Sequence, residues 1–272
     1  MRIKLITFIV FIFYSCADDS SMYEQIIKND AFRSSISTGH FVKLSNGYTY
    51  YEVNNIEKDE LIVLVHGFSV PSYIWDETYF ELIKRGFGVI RLDLYGRGYS
   101  DNPDLIYNDE LYASQVVELL NKLEVTQKVN LVGLSNGGRV ISKVADLRPE
   151  LVDKLIYVAS SGFRVVNEAI DKKVSEKEVD DFIEKNYPTI SKGQLADFKY
   201  PENHIGWDVK YEELLKYKGF ARALISTRKN HYTMDRIHVK IQNSDIPVYT
   251  IWGDSDNVVA VSYTHLTLPT KA

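Results

Sequence analysis

The sequence of 272 residues holds one cysteine, Cys16, so no disulfide can close within the chain in any compartment. It has no surplus of one charge: 32 Lys and Arg oppose 37 Asp and Glu, interspersed, for a net charge of −5. Without a basic stripe there is no footprint for a nucleic-acid backbone, and that class of partner is set aside. No apolar run approaches the roughly 20 residues that span a bilayer. The run over residues 5–14 is half of that. Repeats and low-complexity tracts are missing too, and 45% hydrophobic residues is the composition of a folded globular chain. The length suits one large α/β domain with an insertion, or two small domains.

What is present begins at the amino terminus. Met1-Arg2-Ile3-Lys4 is a short basic head, residues 5–14 are apolar, and Ser15-Cys16-Ala17 is a break of small residues. That order describes a secretory signal. Cys16 stands where a bacterial lipoprotein is cleaved and acylated, and Phe13-Tyr14-Ser15-Cys16 resembles a lipobox with Phe13 in the usual Leu position. The expectation is a lipoprotein-type signal over residues 1–16, lipidation of Cys16, export and a membrane anchor, then a polar tether over residues 17–35. An ordinary signal peptide with an incidental cysteine is the competing reading.

The pattern then alternates. Residues 40–53, around Asn46-Gly47, read as a β-hairpin. Residues 61–65 are a continuous apolar run ending at His66-Gly67, as a strand buried on both faces should be. Residues 87–94, 129–134, 155–159 and 248–252 read as further strands. Residues 75–84, 110–123, 137–147 and 235–242 read as helices, the third stopped by Pro149. Residues 164–233 are richer in Lys, Glu and Asp and helical without buried strands. The predicted fold is α/β: a doubly wound, mostly parallel sheet built from residues 36–163 and 234–260, with residues 164–233 inserted as a helical cap. Right-handed crossovers bring the strand ends to one edge of such a sheet.

Gly133-Leu134-Ser135-Asn136-Gly137 is a Gly-x-Ser-x-Gly pentapeptide, and its meaning lies in its place between a buried strand and a helix. A sharp turn there lifts the serine hydroxyl clear of the sheet and crowds the positions two before and two after. Ser135 is the candidate nucleophile. Acyl transfer also needs donors for an oxyanion, and two backbone amides suffice. The candidates are those of Asn136 and of Phe68, in the loop opened by His66-Gly67. His66 is expected to hold that loop. Beyond the last strand, Trp252-Gly253-Asp254-Ser255-Asp256 offers a carboxylate to orient an imidazole. Asp256 is the choice for that role, and Asp254 the structural competitor. Asp93 is expected to tie down the loop Tyr95-Gly96-Arg97-Gly98.

Together, His66-Gly67-Phe68, the stretch from Asp93 through Gly96-Arg97-Gly98-Tyr99-Ser100, the serine pentapeptide and the Asp256 segment resemble the α/β-hydrolase superfamily, in its order, over residues 40 to about 260. The nearest branch is the esterase and monoacylglycerol-lipase-like one. The resemblance implies a serine hydrolase acting on carboxylic esters through an acyl-enzyme, with a small-molecule ester as substrate and no metal or organic cofactor. Carbon–carbon or amide hydrolysis and acyl transfer on the same fold are alternatives, as is a non-catalytic binding protein.

The family pattern places a helix, a strand and a histidine loop after the acid. Residues 257–272 are too few for these. His265 follows Asp256, but residues 261–272 have no hydrolase character and are expected to be a non-native tail. The reading therefore expects the last helix, the last strand and the catalytic histidine to be missing from this chain, and the chain itself to be largely inactive. His204, His231 and His238 are expected to be surface or packing residues.

Overall fold

The computed structural model describes residues 22–163, 172–256 and 258–259. The signal, Cys16, residues 164–171 and the tail with His265 lie outside these residues. Strands β1 (His40–Leu44), β2 (Gly47–Asn54), β3 (Leu61–Val65), β4 (Gly88–Leu92), β5 (Val129–Leu134), β6 (Val152–Val158) and β7 (Val248–Ile251) form one sheet in the order β1-β2-β4-β3-β5-β6-β7. The β1–β2 and β2–β4 pairs are antiparallel and the remaining four are parallel, which is the mostly parallel sheet expected. Eight α-helices accompany it among the described residues: α1 (Asp30–Ser35), α2 (Asp76–Lys84), α3 (Asp109–Lys122), α4 (Asn136–Leu147), α5 (Glu176–Gly193), α6 (Trp207–Glu212), α7 (Phe220–Lys229) and α8 (Asp235–Gln242).

Every residue of β3 and β4 is buried, because helices cover both faces. The strand period of two sorts the side chains between them. Leu61, Val63, Val65, Ile90 and Leu92 join Val116 and Leu120 of α3 and Val140 and Val144 of α4 in the main core. Ile62, Leu64 and Val89 point the other way, onto Trp75 and Tyr79 beside α2. Burying each such aliphatic side chain contributes about 1.5–3 kcal/mol. Helix α3 is entered through Asn108, whose side chain accepts from the Leu111 amide.

Two local features depart from the sequence reading. Strand β6 starts at Val152 rather than 155, since Asp153 and Lys154 interrupt the apolar run while the backbone still pairs, Lys154 opposite Asn130. The hairpin turns on Ser45-Asn46, with Gly47 already paired to Leu44.

The larger departure is at the amino end. Residues 22–35, expected as part of a tether, are docked on the folded body. The amides of Glu24 and Ile26 donate to the carbonyls of Leu215 and Lys216, both at 2.8 Å, and the Lys218 amide donates back to Ile26 at 2.9 Å. The Glu24 carboxylate accepts from the Gly219 and Ala221 amides and from the Tyr187 hydroxyl, each at 2.7 Å. The physical reason is that the first amides of α7 have no acceptor within the helix and carry its positive dipole end. A carboxylate arriving there satisfies both. Lys28 and Arg33 continue the strap across to the sheet side, Lys28 donating to Ser100 O and Asn102 Oδ1 and Arg33 pairing with Asp101 at 3.0 Å.

Candidate active site

Ser135 links β5 to α4 with φ 50° and ψ −115°, a conformation that L-residues rarely adopt and that costs about 1–3 kcal/mol. The bend is held by the Ser135 amide, which donates to Val158 O at 3.0 Å, and by the Ser161 amide, which donates to Ser135 O at 3.0 Å. Crowding explains the flanking glycines. A Cβ on Gly133 would lie 2.5 Å from the Gly137 carbonyl, and one on Gly137 would run into the Val65 carbonyl oxygen. Asn136 opens α4, so its amide has no intrahelical acceptor.

The loop after β3 approaches from the other side: a Cβ on Gly67 would stand 3.3 Å from Ser135 Cβ. His66, expected to hold this loop, is fully buried and does so. Its Nε2 accepts from the Leu94 amide at 2.9 Å, which leaves Nδ1–H to donate to Gly67 O at 2.9 Å. Burial pushes this imidazole down to about 3, so it is neutral at working pH. Asp93 takes the structural part foreseen for it, accepting from the Ser72 and Tyr99 amides at 2.8 Å each. Burial raises its carboxyl, and these hydrogen bonds pull the other way.

Ser135, Gly67, Phe68, Asp254 and Asp256 line one cavity of about 660 Å³, together with Phe182 and Ile190 of α5, Tyr211 of α6 and Leu224 and Arg228 of α7. The fold thus brings three of the four proposed catalytic positions to one space, and the fourth, Asn136, adjoins the serine. One oxygen of Asp256 accepts from the Val258 and Val259 amides at 2.9 and 2.8 Å, which fixes the carboxylate. Among the described residues, Asp254 accepts only the neighbouring Ser255 hydroxyl, at 3.1 Å. The lining also includes Asp197, whose carboxyl is raised by burial and by the nearby Asp256 charge.

Four contacts had no signal in the sequence. Arg97 donates from Nε to Phe68 O at 2.5 Å and from Nη2 to Thr227 Oγ1 of α7 at 3.0 Å. His231, expected to be a surface or packing residue, donates from Nε2 to Asn136 Oδ1 at 2.8 Å. Arg228 lies over the Phe68 ring, 5.3 Å from its centre. All four join residues far apart in the chain, and only the fold sets such pairs side by side. The other described histidines are engaged away from the serine: His238 stacks on Phe163, His204 on Phe198, and His40 lies against Tyr51. Among the described residues, no group of His, Cys, Asp and Glu is arranged to hold a metal ion.

A strained serine between a parallel strand and a helix, at the sheet edge where the strands end, defines a nucleophile-elbow α/β architecture. Residues 60–240 match the family described as alpha/beta hydrolase fold, and the chain belongs to that family. It is 30% identical over 226 residues to an uncharacterized protein of Mycobacterium tuberculosis, covering 75% of this chain and 64% of that one. The chain therefore spans less than two thirds of that relative's length. It is 28% identical over 144 residues to the putative chloroplastic methylesterase 12 of Arabidopsis thaliana, covering 53% of this chain and 40% of the relative. An esterase of Exiguobacterium antarcticum superposes with a TM-score of 0.66 at 21% identity, covering 83% of this chain and 85% of that one. The esterase RhEst1 of a Rhodococcus species gives 0.65 at 23% identity, covering 84% and 85%. At these identities the structural likeness speaks for the fold alone.

Proposed function

We propose that the protein hydrolyses carboxylic esters through an acyl-enzyme on Ser135. The observation that carries this reading is the shared cavity, in which a strained serine, the Phe68 loop and a fixed Asp256 carboxylate meet beneath an apolar wall from α5 and α7. Ser135 Oγ attacks the ester carbonyl carbon as a histidine outside the described residues takes its proton. The amides of Phe68 and Asn136 donate to the oxyanion. The carbon–oxygen bond to the alcohol breaks, and the histidine returns the proton to the departing oxygen. Water then repeats the sequence, releasing the acid and restoring the serine. Asp256 orients the imidazole and stabilises its charged form. The esterase names among the relatives agree with this chemistry. We further propose export and anchoring through Cys16, since the basic head, apolar run and small-residue break precede it.

The test is steady-state hydrolysis of a panel of short and long acyl esters by a form of the protein that carries the catalytic histidine, with labelling by a fluorophosphonate. Ser135→Ala is expected to lower kcat/KM by roughly a thousandfold or more and to abolish labelling. Retained hydrolysis in that variant would sink the assignment.

A further inference from the structure

Charges around the cavity are unevenly settled. Arg139, near the elbow, is neutralised by Asp109, which it meets at 3.0 and 2.6 Å. Lys229 pairs with Glu178 at 2.6 Å, and Arg222 with Glu176 at 2.6 Å. Arg228, between them on α7, is exposed and forms neither an ion pair nor a hydrogen bond among the described residues; its guanidinium lies over the Phe68 ring. The second guanidinium at that ring, Arg97, lies 5.5 Å from its centre and donates only to neutral acceptors, Phe68 O, Gly96 O and Thr227 Oγ1. The Phe68 ring therefore meets two guanidiniums, neither of them in an ion pair among the described residues. The charges of Arg228 and Arg97 both favour the neutral form of His231, which hydrogen-bonds Asn136. Of the carboxylates in the lining, Asp254 and Asp256 belong to one turn, and Asp197 feels Asp256. Lys199, the other cation of the lining, is two residues from Asp197 and lies over the Tyr200 ring.

A planar guanidinium pre-set on an aromatic face is suited to a two-pronged bond with a carboxylate. We propose that Arg228 is an anion-recognising residue of this cavity, and that the ester bound there carries a free carboxylate, seated at Arg228 beside the reacting carbonyl. This rests on the ester-hydrolase reading for the word ester, while the anion site itself does not depend on turnover. The carboxylate end sits at Arg228, because the aspartates of the lining would repel an anion. The second guanidinium, Arg97, stays behind Phe68 and adds positive potential without touching the ligand.

The experiment is isothermal titration of the full chain carrying Ser135→Ala with monomethyl glutarate and with dimethyl glutarate. These probes differ by one negative charge at nearly equal size. The monoester is expected to bind about tenfold more tightly, the scale of one charge-assisted bond. Potassium chloride weakens that preference, Ser135→Ala combined with Arg228→Gln removes it, and Ser135→Ala combined with Lys199→Gln keeps it. Equal affinity for the two probes, no binding of the monoester, a preference that survives Arg228→Gln, or one lost with Lys199→Gln overturns the proposal. The salt response needs no substitution at position 228, so a folding defect there leaves the question decidable. Failure of the ester reading shows separately, as hydrolysis that does not depend on Ser135.

Discussion

Arg97, only 1% exposed, donates from Nε to the carbonyl oxygen of Phe68 at 2.5 Å. Its Nη1 and Nη2 reach Gly96 O and Thr227 Oγ1. One guanidinium thus joins the loop after β3, the loop after β4 and helix α7. A lysine has no planar fork and cannot hold three such acceptors together. Arg97→Lys is expected to lower kcat for a soluble ester by about tenfold to a hundredfold, below the loss of an entire oxyanion donor. KM should change by less than about threefold. Unchanged kcat would separate Phe68 from the oxyanion.

Substituting the glycines of the site should divide folding from chemistry. A methyl on Gly137 meets the Val65 and His66 carbonyl oxygens, backbone atoms that cannot yield. Gly137→Ala is expected to destabilise by about 3 kcal/mol or more, read as a lost or lowered urea midpoint. A methyl on Gly67 comes within 3.3 Å of Ser135 Cβ and only into ordinary contact with Leu134 O and Ser135 Oγ, at 3.5 and 3.8 Å. Gly67→Ala should fold and lose most of its rate of fluorophosphonate labelling.

Acid stability should carry a histidine signature. Burial lowers His66 and His231 to about 3 and His238 to about 4. Unfolded histidine titrates near 6.5. Between these values the unfolded chain takes up protons that the folded chain refuses, so this contribution is complete above about pH 6.5 and is lost as pH falls toward 4. The buried Asp93 and Asp109 carboxyls are raised and act in the opposite sense. The comparison is therefore made by difference: His238→Gln should flatten the fall of the urea midpoint between about pH 6.5 and 4.5. Parallel curves for the variant and the parent would contradict it.

Removing the strap's carboxylate should loosen the helical layer. Glu24→Ala leaves the Gly219 and Ala221 amides and the Tyr187 hydroxyl without their acceptor. The expected loss is about 2 kcal/mol, or on the order of 5 °C in melting temperature for a chain of this size. Hydrogen exchange should rise first at the start of α7. Uniform exchange across the protein would argue against a local clamp.

Anchoring is tested by partition. Cys16→Ser is expected to move the protein from the membrane fraction to the soluble one, since the apolar run alone is too short to span. Equal partition of parent and variant would count against lipidation.

The central parallel strands are legible because they are largely apolar runs, and the expected bounds 61–65 and 129–134 are those of the structure. Buried parallel strands leave that mark by necessity. The elbow was legible because steric crowding restricts Gly133 and Gly137, and such restriction is written locally. Charge partnerships were not. Nothing near Arg97 announces Phe68 O, and nothing near His231 announces Asn136. The strap was missed for a related reason. Its composition is polar, as a tether's is, and it docks by backbone pairing and one carboxylate rather than by an apolar face.

That strap also sets an order of events. Glu24 and the Ala221 amide that it accepts from are 197 residues apart. The first segment of the folded chain to be synthesised has no docking site until α7 exists. Closing so long a loop is entropically tolerable, because each doubling of length adds only about 0.6 kcal/mol, but it is slow and late. A chain threaded outward from its amino end would carry residues 22–28 as a loose leader while the sheet assembles, then latch them. The latch is thus a mark of completion: it can close only on a molecule whose helical layer is already in place.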